Sequence, residues 1–312
     1  MEANAQQKDP GTNSLDRKVC FVILHYLAYE ETKTCVESIL RLQEGSTHVD
    51  IVIVDNNSSN GSYERLKKSI NNNKVHFIHN KDNLGFAKGM NVGYRYARNV
   101  LKSDVIALMN NDLEIKQSGF LRILNGIVDL GYDVIGPDII TGQGKIHVNP
   151  QVPESNYKKA YLRYALIRIF FTITPDKIGS ALYSRIKEKL ETDTTLRSAE
   201  SDSLSRSEQE AVQLHGACLV FANKFVRAQE ECLDERTFLY HEEDLLFQFC
   251  MRNHYRIVYT PRLKVYHEGG VSTGVASSNM RSKKIRNLKH HMKSIKYVIS
   301  DIKKYGRYYP NN

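Results

Sequence analysis

The chain has 312 residues, 41% of them hydrophobic and 25% charged, a composition ordinary for a globular protein and long enough for one α/β domain with an appendage. Five scattered cysteines (Cys20, Cys35, Cys218, Cys232, Cys250) form no CxxC pair, which argues against a disulfide framework or a zinc site and for a reducing compartment. The formal net charge is +9, yet residues 280–307 alone hold ten Lys or Arg against Asp301, so the rest of the chain is neutral.

Residues 1–17 are polar and lack the apolar core of a signal peptide, and read as a disordered tail. Val19–Leu24 is an apolar strand ending at His25-Tyr26, followed by a helix over Glu30–Leu42 with Cys35, Ile39 and Leu42 on one face. A second strand, Ile51–Val54, ends in the turn-forming run Asp55 to Ser62, and Leu66 and Ile70 mark the next helix. Val75–Ile78 is the third strand. Asn83-Leu84-Gly85 then opens a helix to Leu101, and Val105–Met109 is a fourth strand that stops abruptly at Asn110-Asn111-Asp112.

A helix (Phe120–Leu130) and a strand (Val134–Ile140) follow. Residues 141–210 read as an insertion or mobile segment, within which Ala160–Ile173 is too short and too interrupted, by Arg163 and Arg168, to span a bilayer. It reads as a helix lying on something apolar. Order resumes with a strand over Val212–Ala222, a helix over Asp244–His254, and strands Arg256–Thr260 and Leu263–His267. Strand–helix alternation with short connections predicts an α/β fold, a doubly wound and mostly parallel sheet over residues 18–275.

In such a sheet the carboxyl ends of the strands face one crevice, so the four polar clusters at His25, Asp55, Asn83 and Asn110 should converge there. Asp55 either contacts a base or ribose or caps a helix. Gly85 either lets a phosphate approach the backbone at a helix N-terminus or makes a plain tight turn. Glu242, Glu243 and Asp244 repel one another, which suits a general base, or they simply favour a helix N-terminus. His267 is a metal or phosphate contact, or a surface polar group.

Six blocks in order, Val-Asp-Asn-Asn-Ser-Ser-Asn-Gly-Ser (54–62), Asn-Leu-Gly-Phe-Ala-Lys-Gly-Met-Asn (83–91), Leu-Met-Asn-Asn-Asp (108–112), Gly-Ala-Cys-Leu-Val-Phe (216–221), Phe-Leu-Tyr-His-Glu-Glu-Asp (238–244) and Val-Tyr-His-Glu-Gly-Gly (265–270), resemble the family 2 inverting glycosyltransferases. The look is that of bacterial rhamnosyltransferase-like and polysaccharide-assembly members. The resemblance implies a GT-A fold, Mg2+ or Mn2+, a UDP- or dTDP-sugar donor, and a glycan or lipid-linked saccharide acceptor. It assigns the nucleotide to His25, Tyr26, Asp55, Asn57, Asn83, Gly85, Lys88, Asn91, Asn110 and Asn111. It assigns the metal to Asp112 and His267, and the catalytic base to Glu243, with Asp244 as the alternative and Glu242 beside them. Asn110 stands where the family motif carries an acid, and Lys88 where a small residue is common. A nucleotidyltransferase and a non-catalytic nucleotide-binding module are the rival readings.

The C-terminal segment, 276–312, carries Ile285, Leu288, Met292, Ile295, Val298 and Ile302 at three- and four-residue spacing, an amphipathic helix with a basic face. Two readings stand: it binds an anionic membrane surface, each basic residue contributing about 1 kcal/mol, or it packs its stripe on the body. No nucleic acid is expected, since no recognised module or aromatic interleaving accompanies the charge. The expected location is cytoplasmic, peripheral at the inner face of a membrane.

Overall fold

The computed structural model describes residues 17–42, 47–141, 146–173, 205–267 and 280–309. The expected tail up to residue 16, the part of the insertion between 174 and 204, and Glu268-Gly269-Gly270 lie outside the described residues. The first half runs β1 (Lys18–His25), α1 (Tyr29–Leu40), β2 (His48–Asp55), α2 (Ser62–Ser69), β3 (Val75–His79), α3 (Phe86–Asn99) and β4 (Val105–Asn110). It builds the parallel block β3-β2-β1-β4.

The central strands β1, β2 and β4 carry continuous apolar runs because both faces are covered, whereas the edge strand β3 is mostly half-buried. Phe21, Ile23, Ile51 and Ile53 pack with Ile39 of α1 and with Leu124 and Ile127. Their alternating neighbours Val22, Val52, Val54 and Leu108 pack with Met90 and Tyr94 of α3 on the other face.

The second half comprises β5 (Leu113–Glu114), α4 (Phe120–Asp129), β6 (Val134–Thr141), β7 (Ile146–His147), α5 (Tyr157–Ile173), β8 (Gln209–Glu210), β9 (Cys218–Phe221), α6 (Asn223–Ala228), α7 (Glu242–Arg252), β10 (Ile257–His267) and α8 (Met280–Tyr305). The sheet continues past β4 as β9-β6-β10-β5. The expected mostly parallel sheet is present, and its antiparallel part lies in this half. β9 runs antiparallel to both β4 and β6, β5 is antiparallel to β10, and β6 and β10 are parallel.

Three further boundaries differ. The strand expected over Val212–Ala222 is confined to Cys218–Phe221. Its first half bends because the His215 amide N–H donates to Asn149 Oδ1 and the Ala217 amide to His215 Nδ1, instead of to a strand ladder. The two strands expected around 256–267 are one, β10, whose register against β6 shifts between Thr260 and Lys264. Helix α7 begins two residues early, at Glu242, which places the whole acidic triplet in its first turn.

The later part of the C-terminal stripe packs on the body, while Ile285, Leu288 and Met292 stay half-buried. Ile295 and Val298 are fully buried, clustered with Leu245 of α7 and with Tyr157 and Ala160 of α5. Helix α5 lies along α8 by its Tyr157, Ala160 and Phe171 face. No described helix is long and apolar enough to cross a membrane.

Candidate active site

Register alone aligns the first polar clusters. His25 sits opposite Asp55 and Asp55 opposite His79, while Leu24 sits opposite Asn110, so the ends of β1 to β4 form one rim. His25 is fully buried, with Nδ1 2.7 Å from Thr32 Oγ1 and Nε2 2.8 Å from Ser62 Oγ. The Thr32 hydroxyl donates its one proton to the Ala28 carbonyl at 2.7 Å. It must therefore accept from His25, which fixes the proton on Nδ1 and leaves Nε2 accepting from Ser62. Burial lowers the proton affinity of this ring, against the pull of Asp55 and Glu31. Both ring nitrogens are thus spent inside the protein, so His25 positions the rim from beneath instead of offering a nitrogen to a nucleotide.

Asp55 is likewise covered. It accepts from the Ser58 amide at 3.1 Å and pairs with His79 Nδ1 at 2.8 Å, closing a turn whose next residue, Asn57, is exposed at φ 64°. Asn56 was not singled out by the sequence, yet it ties the two rim loops together. Its Nδ2 donates to Asn83 Oδ1 at 3.1 Å and to the Gly85 carbonyl at 3.0 Å; its Oδ1 accepts from Asn80 Nδ2 and the Leu84 amide. All four of its hydrogen-bonding capacities are used, as burial demands.

Gly85 adopts φ +81°, and a Cβ there would lie 2.4 Å from the Phe238 carbonyl oxygen. Sequence reasoning expected a close approach at this glycine, and the group that approaches is the protein's own. The Phe86 amide, first of α3, donates to Phe238 O at 2.7 Å. Lys88 is exposed one turn on and lines a groove of about 990 Å³ between α3, the 229–236 loop, α7 and α8. Asn91 is buried away from the rim, donating to the Leu233 carbonyl and accepting from the Cys232 and Leu233 amides. Tyr26 projects 46% exposed past the end of β1.

The strap Asn110-Asn111-Asp112 is held at every residue. The Asn110 amide donates to Ala217 O at 2.8 Å, and Asn111 Nδ2 donates to Thr32 Oγ1 at 2.9 Å. The antiparallel pairing of His267 with Leu113 sets His267 Nε2 2.9 Å from Asp112 Oδ2. That hydrogen bond raises the proton affinity of His267. His215, which sequence reasoning did not mark, stands close enough to Asp112 and His267 to feel both charges, and burial holds its ring neutral with a pKa of about 4. Accepting the Ala217 amide at Nδ1 leaves its proton on Nε2.

The acidic triplet separates into three environments. Asp244 is buried and saturated, accepting from the Tyr157 hydroxyl at 2.5 Å, Gln213 Nε2 at 3.3 Å and His241 Nδ1 at 2.8 Å. Glu242 is buried with one carboxyl oxygen, Oε1, unbonded among the described residues, and burial pushes its pKa up to about 7. Glu243 is half-buried; desolvation, reinforced by Asp244 and Glu242, raises its proton affinity far above the ordinary carboxylate range. Its Oε2 faces Gly216, where a Cβ would stand 3.7 Å away. Gly216 adjoins Ala217, the residue that holds Asn110. Glu243 is thus the member of the triplet turned toward the strap.

The segment before the triplet is strained and clamped. Tyr240 and His241 are both left-handed, at φ 71° and 67°, a state costing about 1–3 kcal/mol per residue unless the surroundings impose it. Helix α8 imposes it. His290 stacks on Phe238 at 4.8 Å, His291 stacks on Tyr240 at 3.7 Å, and the Ser294 hydroxyl donates to Leu239 O at 2.9 Å.

Residues 20–187, more than half the chain, match the family model described as Glycosyl transferase family 2. The low-salt glycan biosynthesis hexosyltransferase Agl10 of Haloferax volcanii is 27% identical over 123 residues, 39% of this chain, and the match spans 37% of that protein's length. The crystal structure of residues 1–349 of S. aureus TarS overlays with a TM-score of 0.49 at 14% identity, covering 88% of this chain and 65% of that one. The family model spans more than half of a chain whose rim, strap and acidic helix start stand on a mostly parallel α/β sheet, and the chain belongs to the family 2 glycosyltransferases.

Proposed function

We propose that the protein is an inverting, metal-dependent hexosyl- or deoxyhexosyltransferase. Its donor is a UDP- or dTDP-sugar, its acceptor a hydroxyl of a glycan or lipid-linked saccharide, and its setting the cytoplasmic face of an anionic membrane during cell-surface polysaccharide assembly. The observation that carries this reading is the placement of Glu243, a carboxyl of raised proton affinity, turned toward the same strap that presents Asp112 beside His267.

Asp112 offers a hard carboxylate oxygen and His267 an imidazole nitrogen, a pair that fits Mn2+ and, through the carboxylate, Mg2+. Among the described residues no group of three or more His, Cys, Asp or Glu is placed to hold a metal. When bound, such a cation offsets the charge of the departing diphosphate. This chain's residues do the rest. Asn111 and the Ala217 carbonyl fix the strap, and the saturated Asp244 holds the first turn of α7 in place. Glu243 takes the acceptor hydroxyl proton as that oxygen bonds to the anomeric carbon. The bond from that carbon to the diphosphate oxygen breaks on the opposite side, so configuration inverts in one displacement.

The test is a panel of nucleotide sugars screened for slow, Mn2+-stimulated hydrolysis by the full chain and its Glu243→Gln variant. Release of free sugar by the parent and not by the variant is expected. Hydrolysis that survives the substitution removes Glu243 from the role.

A further inference from the structure

Helix α5 is apolar on two opposite faces, and only one is covered. Tyr157, Ala160, Tyr164 and Phe171 turn toward α8. On the other side Leu162, Leu166, Ile169 and Ile173, spaced by four, three and four residues, are 59%, 66%, 55% and 74% exposed. A helix apolar all round is ordinarily buried all round. Four consecutive large aliphatic side chains in one exposed row form a patch of the kind that marks an interaction site.

The charge around this row is predominantly positive; the acid beside it, Glu154, pairs with Arg163 at 3.2 Å. Helix α5 contains no acidic residue and carries Lys158, Lys159, Arg163 and Arg168, the first two exposed at its start. The helix it lies along, α8, holds the chain's basic excess, with Asp301 as its one acid, and Lys284 of α8 sits 5.4 Å over the Phe171 ring. Aliphatic row and positive charge thus share one end of the molecule. The C-terminal part of the α8 stripe, Ile295, Val298 and Ile302, is taken up by packing, so α8 supplies mainly charge and α5 the larger exposed aliphatic row.

We infer that the outward face of α5 is a membrane-docking surface, lying in the plane of an anionic bilayer with Leu162, Leu166, Ile169 and Ile173 below the headgroups and the Lys and Arg residues of α5 and α8 at phosphate level. This rests on the reading that the enzyme works at an anionic membrane, and it names the part that touches lipid. An acidic protein partner would satisfy the charge without needing four aliphatic side chains in a row, and a second copy of this chain would bring like charges together.

The experiment is co-sedimentation of the full chain with phosphatidylglycerol-containing vesicles against pure phosphatidylcholine vesicles. The Leu166→Glu/Ile169→Glu double variant is measured alongside, because both side chains are exposed and should leave folding intact, which circular dichroism checks. Expected is binding by the parent to the anionic vesicles alone, falling roughly tenfold or more in the double variant, and a smaller loss in Lys158→Glu/Lys159→Glu. Donor hydrolysis in solution should be unchanged in both. Undiminished binding by the double variant overturns the assignment to α5 while leaving the peripheral reading intact. Failure of the parent to bind removes both. A parent dimer that the double variant splits, seen by ultracentrifugation, gives the row to a second copy and overturns the inference.

Discussion

Phe238 occupies the space that a side chain at Gly85 would need: its carbonyl oxygen lies 2.4 Å from a Cβ built there, and its ring carbons begin at 2.7 Å. The loop that opens α3 and the segment that leads to Glu243 therefore interlock through a missing methyl group. Gly85→Ala should destabilise the fold by about 3 kcal/mol, combining strain at a left-handed φ with displacement of backbone. It should reduce turnover further than stability alone explains, because Phe238 moves with it. Thermal melting and donor hydrolysis measured together check this, and an alanine variant that melts with the parent contradicts it.

Glu243 and Asp244 are adjacent in sequence and should behave differently. Glu243→Gln should cut turnover on the order of a hundred- to ten-thousandfold, the range for a positioned general base, and leave nucleotide affinity and melting temperature close to the parent's. Asp244→Asn strips a charged acceptor from Tyr157, Gln213 and His241. It should cost about 2 kcal/mol of stability and retain measurable turnover below its melting transition. The reverse pattern would transfer the base role to Asp244.

Glu242 predicts an unusual pH dependence of stability. Its folded pKa is about 7 against an ordinary 4.5, so between those values the folded chain binds more protons than the unfolded one. The sign follows directly: stability is full below about pH 4.5 and declines as pH rises toward 7. The slope is at most about 1.4 kcal/mol per pH unit, which gives roughly 3 kcal/mol in all. Glu242→Gln should remove that decline and raise the melting temperature at pH 8 but not at pH 4.5. Parallel melting curves for parent and variant across the range would show that Glu242 is not held neutral.

Asp112 and His267 should answer to metal together. Asp112→Ala is expected to weaken Mn2+-dependent binding of a nucleoside diphosphate by roughly tenfold or more, since even the partners of metal ligands cost that much. Binding in the presence of chelator should barely change. His267→Ala should give a smaller loss in the same direction. Calorimetry with and without Mn2+ measures both, and equal affinities in parent and Asp112→Ala would detach the strap from the metal.

The parallel half of the sheet was legible because β1, β2 and β4 each contain a contiguous apolar run ended by His, Asp or Asn, a signal that needs no knowledge of distant residues. The antiparallel entry of β9 was not legible. Cys218–Phe221 is as apolar as any parallel strand, and its direction is set by β4 and β6 on either side of it. Gly85 announced a close approach, yet only the fold reveals that Phe238, far along the chain, is what approaches. His215 escaped notice for the same reason, and Asn56 stood out only as one member of a turn-forming run. A lone polar residue in sequence declares nothing until the groups around it are known. The acidic triplet shows the converse. The residues alone left the three alike and only the resemblance put Glu243 ahead of Asp244, whereas the fold gives each a different burial, hydrogen bonding and orientation.

The grip of α8 on residues 238–241 ties the basic C-terminal helix to the start of α7, where the acidic triplet stands. Two imidazole rings and one hydroxyl from α8 brace a backbone segment that would otherwise relax out of its left-handed state, and the first turn of α7 begins where that brace ends. A chain cut before residue 280 would keep its sheet and its rim and lose the buttress of the turn that carries Glu243, the base proposed above. A version trimmed to the sheet and its rim is therefore shorter than the version that holds residues 238–241 in place.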